Sequence, residues 1–192
     1  MNKIYIVHCW GGTKDDGWYP WLDKKISNKD NKVIRFNMPN TNNPKIEEWV
    51  LELDKQVNEL NEHTYFVGHS IGCQTIMRYL ESKNVKTIGG ILFVAPWLDL
   101  LPKAVSDEES YNTAEPWIRT SINFEKIRNT TNKITCIFSD DDYFVSLDQE
   151  TRFRELLNAK TIIVNQKGHI SADDGVEELD EIYNELVEII NS

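Results

Sequence analysis

Gly68-His69-Ser70-Ile71-Gly72 lies between an apolar run, Thr64 to Gly68, and a segment with helical spacing, Ile71 to Leu80. A serine with glycine two residues before and two after, at a strand-to-helix junction, fits a nucleophile elbow. The chain turns tightly there and leaves the hydroxyl projecting at the strand end. A serine hydroxyl is a weak nucleophile at neutral pH, so it needs a base, and the base needs a carboxylate to hold its tautomer. In this architecture the chain order is serine, acid, histidine. Of the four histidines, His8 ends the first apolar run, His69 belongs to the elbow and His63 sits in a polar loop. His169, in Lys167-Gly168-His169 beyond the last run, is left as the base.

The acid is expected after the run Ile134 to Phe138, where Ser139-Asp140-Asp141-Asp142 offers three carboxylates. Asp142 is favoured because Asp142-x-x-Val145 sets it just before an apolar anchor leading into the next helix. Asp140 and Asp141 stay as alternatives, read otherwise as solvated turn residues or caps, and Asp99, one strand earlier, is a more distant one. His8-Cys9-Trp10-Gly11-Gly12 follows the first run and supplies the second half of an oxyanion hole, with the Trp10 and Ile71 backbone N–H groups as donors. Cys9 has no base assigned to it and is read as packing near the site. No Cys, His, Asp or Glu cluster has metal-ligand spacing, and Gly11-Gly12 lacks the spacing of a nucleotide loop, so neither metal nor cofactor is expected.

These groups need a frame that brings distant loops together. The apolar runs Lys3 to Cys9, Lys32 to Phe36, Thr64 to Gly68, Gly90 to Ala95, Ile134 to Phe138 and Thr161 to Val164 are contiguous rather than alternating. That pattern suits strands of a parallel sheet covered on both faces. Helical stripes lie between them. The clearest is Ile46, Trp49, Val50, Leu53, Val57 and Leu60, with Asn43 expected as the cap and Pro44 at the first helical position. Others cover Trp18 to Ile26, Ile71 to Leu80, Asp148 to Asn158 and the C-terminal stripe Val176, Leu179, Tyr183, Leu186 and Ile190. Strand–helix alternation predicts a doubly wound α/β sheet with ligands at the strands' carboxyl ends. The segment Trp97 to Asn123 reads as a long irregular stretch forming a small cap over the site.

The 192 residues, 40% hydrophobic, fit a single domain, 1–192, and exclude a disordered or fibrous chain. A net charge of −10 repels phosphate backbones and anionic bilayers, so neither nucleic acid nor membrane is expected as a partner. Three widely spaced cysteines suggest no disulfide framework and a reducing, cytoplasmic setting. The first apolar run is too short for a signal-peptide core, and no run approaches the roughly 20 residues needed to span a bilayer.

The chain resembles, over its whole length, the small serine hydrolases of the family that includes retinoblastoma-binding protein 9 and the bacterial YdeN-type proteins, a compact branch of the α/β-hydrolase fold. Gly17-Trp18-Tyr19-Pro20-Trp21-Leu22, the elbow, Val94-Ala95-Pro96-Trp97, and Ser139 to Val145 with Gly168-His169 carry the likeness. It implies a six-stranded, mostly parallel sheet in the order 2-1-3-4-5-6 with helices on both faces, and a triad on Ser70, Asp142 and His169. Cys9 stands where the family commonly has glycine or proline, and Ile170 where phenylalanine often follows the histidine. No Leu-x-Cys-x-Glu sequence occurs, so retinoblastoma-protein binding is not implied.

The sequence thus predicts hydrolysis of a small ester, thioester or amide through an acyl-enzyme, with Trp18, Trp97, Trp117 and Phe144 as substrate-binding candidates. The alternative is a non-catalytic interaction module of the same fold that uses Trp18, Trp21, Trp97 and Trp117 against a partner.

Overall fold

A computed structural model of the chain describes residues 1–192. Its strands are β1 (Asn2–Val7), β2 (Asn31–Arg35), β3 (Thr64–His69), β4 (Gly90–Val94), β5 (Ile134–Ser139) and β6 (Lys160–Val164). They form one six-stranded sheet in the order β2-β1-β3-β4-β5-β6, every neighbouring pair parallel. Each matches an expected apolar run to within two residues at either end. Buried β3, β4 and β5 occupy the middle, while β2 and β6 at the edges are only partly covered.

Period two along each strand splits the apolar residues between two cores. On one face, Tyr5, Val7 and Phe66 join Trp49 and Leu53 of α2 (Ile46–Gln56), Ile76 and Met77 of α3 (Ile71–Ser82) and Phe153 of α6 (Asp148–Leu157). On the other, Ile4, Ile6 and Val67 meet Trp18 and Leu22 of α1 (Trp18–Ile26) and Ile182 and Leu186 of α7 (Asp180–Asn191). Each such buried aliphatic or aromatic side chain contributes about 1.5–3 kcal/mol relative to exposure. No helix is long and apolar enough to cross a membrane.

The structure corrects the sequence-based expectation in two places. Helix α2 starts at Ile46, with Lys45 as its cap and without a side-chain capping bond. Asn43 and Pro44 are instead held by tertiary contacts: the Asn43 side chain accepts from Thr113 Oγ1 at 3.2 Å and the Pro44 carbonyl from Trp117 Nε1 at 3.0 Å. The segment after β4 is largely helical rather than irregular. It holds a 3₁₀ turn, Pro102–Val105, α4 (Glu108–Arg119), and beyond it α5 (Phe124–Arg128). Asp107 and Ser110 close a capping box at the start of α4. Its buried stripe is only Thr113, Ala114 and Trp117, and Pro116 removes one N–H from its interior. Those features hide α4 from periodicity.

The sheet order reverses at β1, whose neighbours β2 and β3 lie on opposite sides. The loops after β1 and β3 therefore splay apart at their carboxyl ends and leave a crevice, the usual binding position in open α/β sheets.

Candidate active site

Ser70 stands at the junction of β3 and α3 with φ 54° and ψ −120°. A non-glycine residue in this region carries roughly 1–3 kcal/mol of strain, which the surroundings must hold in place. They do so through close packing. A Cβ on Gly72 would lie 2.4 Å from the Val7 carbonyl oxygen, and one on Gly68 would lie 2.8 Å from the Cys73 backbone. Only glycine permits that approach of α3 to β1 and β3. The Ser70 amide also donates to the Val94 carbonyl at 2.9 Å, pinning the turn to β4.

Ser70 Oγ lies 2.8 Å from His169 Nε2, and His169 Nδ1 lies 2.8 Å from Asp142 Oδ2. An ionised carboxylate only accepts, so Nδ1 carries the proton and Nε2 is left as the acceptor for the Ser70 hydroxyl. The other carboxylate oxygen, Asp142 Oδ1, accepts from the Phe144 and Val145 amides at 2.8 and 3.0 Å. The Asp142 carboxylate thus takes part in three hydrogen bonds, which fix its orientation toward His169. In addition, Trp97 Nε1 donates to Ser70 Oγ at 3.1 Å. The sequence marked Trp97 as a pocket residue but gave no sign of this bond, which joins two loops 27 residues apart.

The loop carrying His169 is held by carboxylates. Asp140 accepts from the Gln166 amide at 2.8 Å, and Asp141 accepts from the Gly168 amide and from Ser139 Oγ, both at 2.8 Å. Asp140 and Asp141 are exposed, as turn residues, and they also clamp the histidine loop through these bonds. Asp174, which the sequence did not single out, accepts from the His169 and Ser171 amides at 3.0 and 3.1 Å, from Ser171 Oγ at 2.6 Å and from Tyr143 at 2.9 Å. Desolvation acts to raise its pKa, but these hydrogen bonds outweigh it and hold the carboxyl below its ordinary value. Asp99 is elsewhere, paired with Gln149 and Arg152.

Above Ser70 and His169 opens a cavity of about 380 Å³. Trp10, Trp97, Leu100, Ala104, Tyr143 and Phe144 wall it, and the 3₁₀ turn and α4 contribute Ala104 and Ser110. No Lys or Arg lines it; Asp173 is the one charged residue there. Cys9 is also on the wall, where burial pushes its thiol pKa up and so keeps it from the nucleophilic thiolate form.

Two expected pocket residues fall elsewhere. Trp117 packs edge-on against Trp49 with 6.1 Å between rings and lies beside Arg78, and it does not line the cavity. Trp18 is 1% exposed and donates from Nε1 to the Ile170 carbonyl at 3.0 Å, so it anchors the histidine loop. It borders only a smaller adjoining hollow. Both are large apolar residues near functional segments, and sequence alone does not separate walls from anchors.

His69 is fully buried beside the site, and burial lowers its pKa to about 4. The same residue in an unfolded chain takes a proton near pH 6.5. Between those values the unfolded state binds more protons, so this contribution to stability is complete above about pH 6.5 and is lost as pH falls to about 4. Its size is roughly 3 kcal/mol, and the lowered pKa of His8 acts in the same direction. Urea unfolding at pH 7 and pH 4.5 is expected to show a smaller acid loss in His69→Gln than in the wild type. An equal loss would remove His69 as its source.

The fold and this serine-centred crevice define an α/β hydrolase. The chain belongs to the serine hydrolase family, whose model matches residues 4–188, and it is a hydrolase enzyme. YdeN of Bacillus subtilis (strain 168) is 29% identical over 186 residues, covering 96% of this chain and 94% of that one. The crystal structure of the ydeN gene product from B. subtilis superposes with a TM-score of 0.91 at 27% identity, covering all of both chains. Serine hydrolase RBBP9 of Rattus norvegicus is 25% identical over 194 residues, covering 100% and 95%. The esterase RhEst1 from Rhodococcus sp. ECU1013 shares the fold, with a TM-score of 0.70 at 15% identity and coverage of 100% and 90%.

Proposed function

We propose that the protein hydrolyses a small uncharged ester, or a thioester or amide of similar size, through an acyl-enzyme on Ser70. The observation that carries this reading is the continuous hydrogen-bonded chain from Ser70 through His169 to Asp142 at the floor of an apolar cavity. His169 Nε2 takes the hydroxyl proton as Oγ attacks the carbonyl carbon, and the resulting imidazolium is stabilised by Asp142. The same nitrogen then protonates the leaving alcohol, thiol or amine. Water repeats the sequence and releases the acid. Trp10 and Ile71 are the proposed oxyanion donors: the Trp10 amide makes no hydrogen bond to other protein groups, and the Ile71 amide opens α3, where N–H groups lack intrahelical partners.

Aromatic and aliphatic walls favour an apolar acyl group, and the absence of a lining cation disfavours substrates bearing a second carboxylate. The esterase among the structural neighbours agrees with ester chemistry. Three free cysteines suit the reducing, cytoplasmic setting expected from the sequence.

The test is hydrolysis of matched p-nitrophenyl esters with neutral and carboxylate-bearing acyl groups. Expected is turnover of the neutral ester, at least about tenfold slower turnover of the anionic one, and loss of both in Ser70→Ala. Equal activity of a folded Ser70→Ala protein would reject the reading.

A further inference from the structure

Tyr19 and His69 lie outside the Ser70–His169–Asp142 chain, yet both are buried polar groups, 2% and 1% exposed. The Cys9 amide lies 3.2 Å from Tyr19 Oη, Tyr19 Oη 2.6 Å from His69 Nδ1, and His69 Nε2 2.9 Å from the His169 carbonyl oxygen. The two ends fix the direction of every bond. An amide only donates and a carbonyl only accepts, so the Tyr19 oxygen accepts from Cys9 and His69 donates from Nε2. Neutral His69 then has a bare Nδ1, which accepts the Tyr19 proton. No polar atom of the two side chains is left over.

Each contact falls at or next to a group the reaction uses. Cys9 precedes Trp10, His69 precedes Ser70, and the acceptor at the far end is the carbonyl of His169 itself. The neighbouring Ile170 carbonyl is held by Trp18, one residue before Tyr19 on α1. The first turn of α1 therefore grips the oxyanion loop, the elbow and the histidine loop together. We propose that Tyr19 and His69 are positioning residues, forming a single relay that keeps these three loops in register during catalysis. The inference rests on the proposed Ser70 chemistry, and neither side chain touches the reacting atoms. A misplacement of about 1 Å among catalytic groups costs up to about a hundredfold in rate, which sets the scale of the relay's effect.

Tyr19→Phe deletes one hydroxyl and keeps the ring. Expected is a fall of about 10- to 100-fold in kcat for a neutral p-nitrophenyl ester, with KM within about twofold. A merely structural role would lower the melting temperature and leave kcat of the folded protein unchanged. His69→Gln, whose amide can still donate to the His169 carbonyl, is expected to keep more activity than His69→Leu. The double variant Tyr19→Phe/His69→Leu should be no more than about twofold slower than His69→Leu, because both act through one chain of bonds.

A folded Tyr19→Phe protein within twofold of wild-type kcat, or additive losses in the double variant, overturns the relay. If Tyr19→Phe does not fold, equal activity of His69→Gln and His69→Leu overturns it. Wild-type labelling at Ser70 by a fluorophosphonate separates this outcome from failure of the Ser70 chemistry itself: an unlabelled wild type removes both.

Discussion

His169→Ala is expected to fold like the wild type and to hydrolyse small esters about six orders of magnitude more slowly in kcat, the scale seen when a triad base is deleted. The structure gives this loss its cause. His169 Nε2 is the one basic atom within hydrogen-bond reach of Ser70 Oγ, since the other group bonded to Oγ, the Trp97 indole, is itself a donor. Fold retention follows from position. The imidazole borders the cavity beside Phe144, and its loop is held by the backbone bonds to Asp141 and Asp174, which the substitution leaves intact. Thermal melts of the variant check the fold, and single-turnover assays check the rate. Removing Ser70 as well should cost little more, because the two groups perform one step. A residual rate within about a hundredfold of wild type would show that another base serves Ser70.

Asp142→Asn is expected to lower kcat by about four orders of magnitude through the wrong histidine tautomer. One carboxylate oxygen accepts from the Phe144 and Val145 amides and the other faces His169 Nδ1. An asparagine must turn its oxygen to the two amides, which presents its NH₂ to Nδ1. His169 then keeps its proton on Nε2 and cannot accept from Ser70. Asp141→Asn, by contrast, disturbs only the loop clamp, and a loss of no more than about a hundredfold is expected. Comparing the two variants by kcat and pH profile distinguishes acid from clamp. The larger loss at Asp141 or Asp140 would move the acid there.

Much of the frame was legible because it is written in local patterns. Contiguous apolar runs marked the strands, and glycine spacing marked the elbow. Elimination among four histidines left His169, and the apolar Val145 after Asp142 separated it from its neighbours. What stayed hidden depends on contacts between distant segments. Trp97 reaches Ser70 across 27 residues and His69 reaches His169 across 100. No spacing rule encodes either. The α2 start shifted because Asn43 and Pro44 serve α4, and α4 itself was obscured by its polar composition and Pro116. Residue type alone puts Trp117 near substrate, whereas its indole satisfies the Pro44 carbonyl in the core. Polar atoms on large aromatics find partners when buried, and here those partners are backbone carbonyls for Trp18 and Trp117 but the Ser70 hydroxyl for Trp97.

If Ser70 is the nucleophile, its hydroxyl is the group that a fluorophosphonate captures covalently. The wild-type protein is treated with a fluorophosphonate, digested and mapped by mass spectrometry. One adduct is expected, on Ser70, absent in Ser70→Ala and formed far more slowly in His169→Ala. An adduct on another residue, or ester turnover by a protein that the probe leaves unmodified at Ser70, would contradict it.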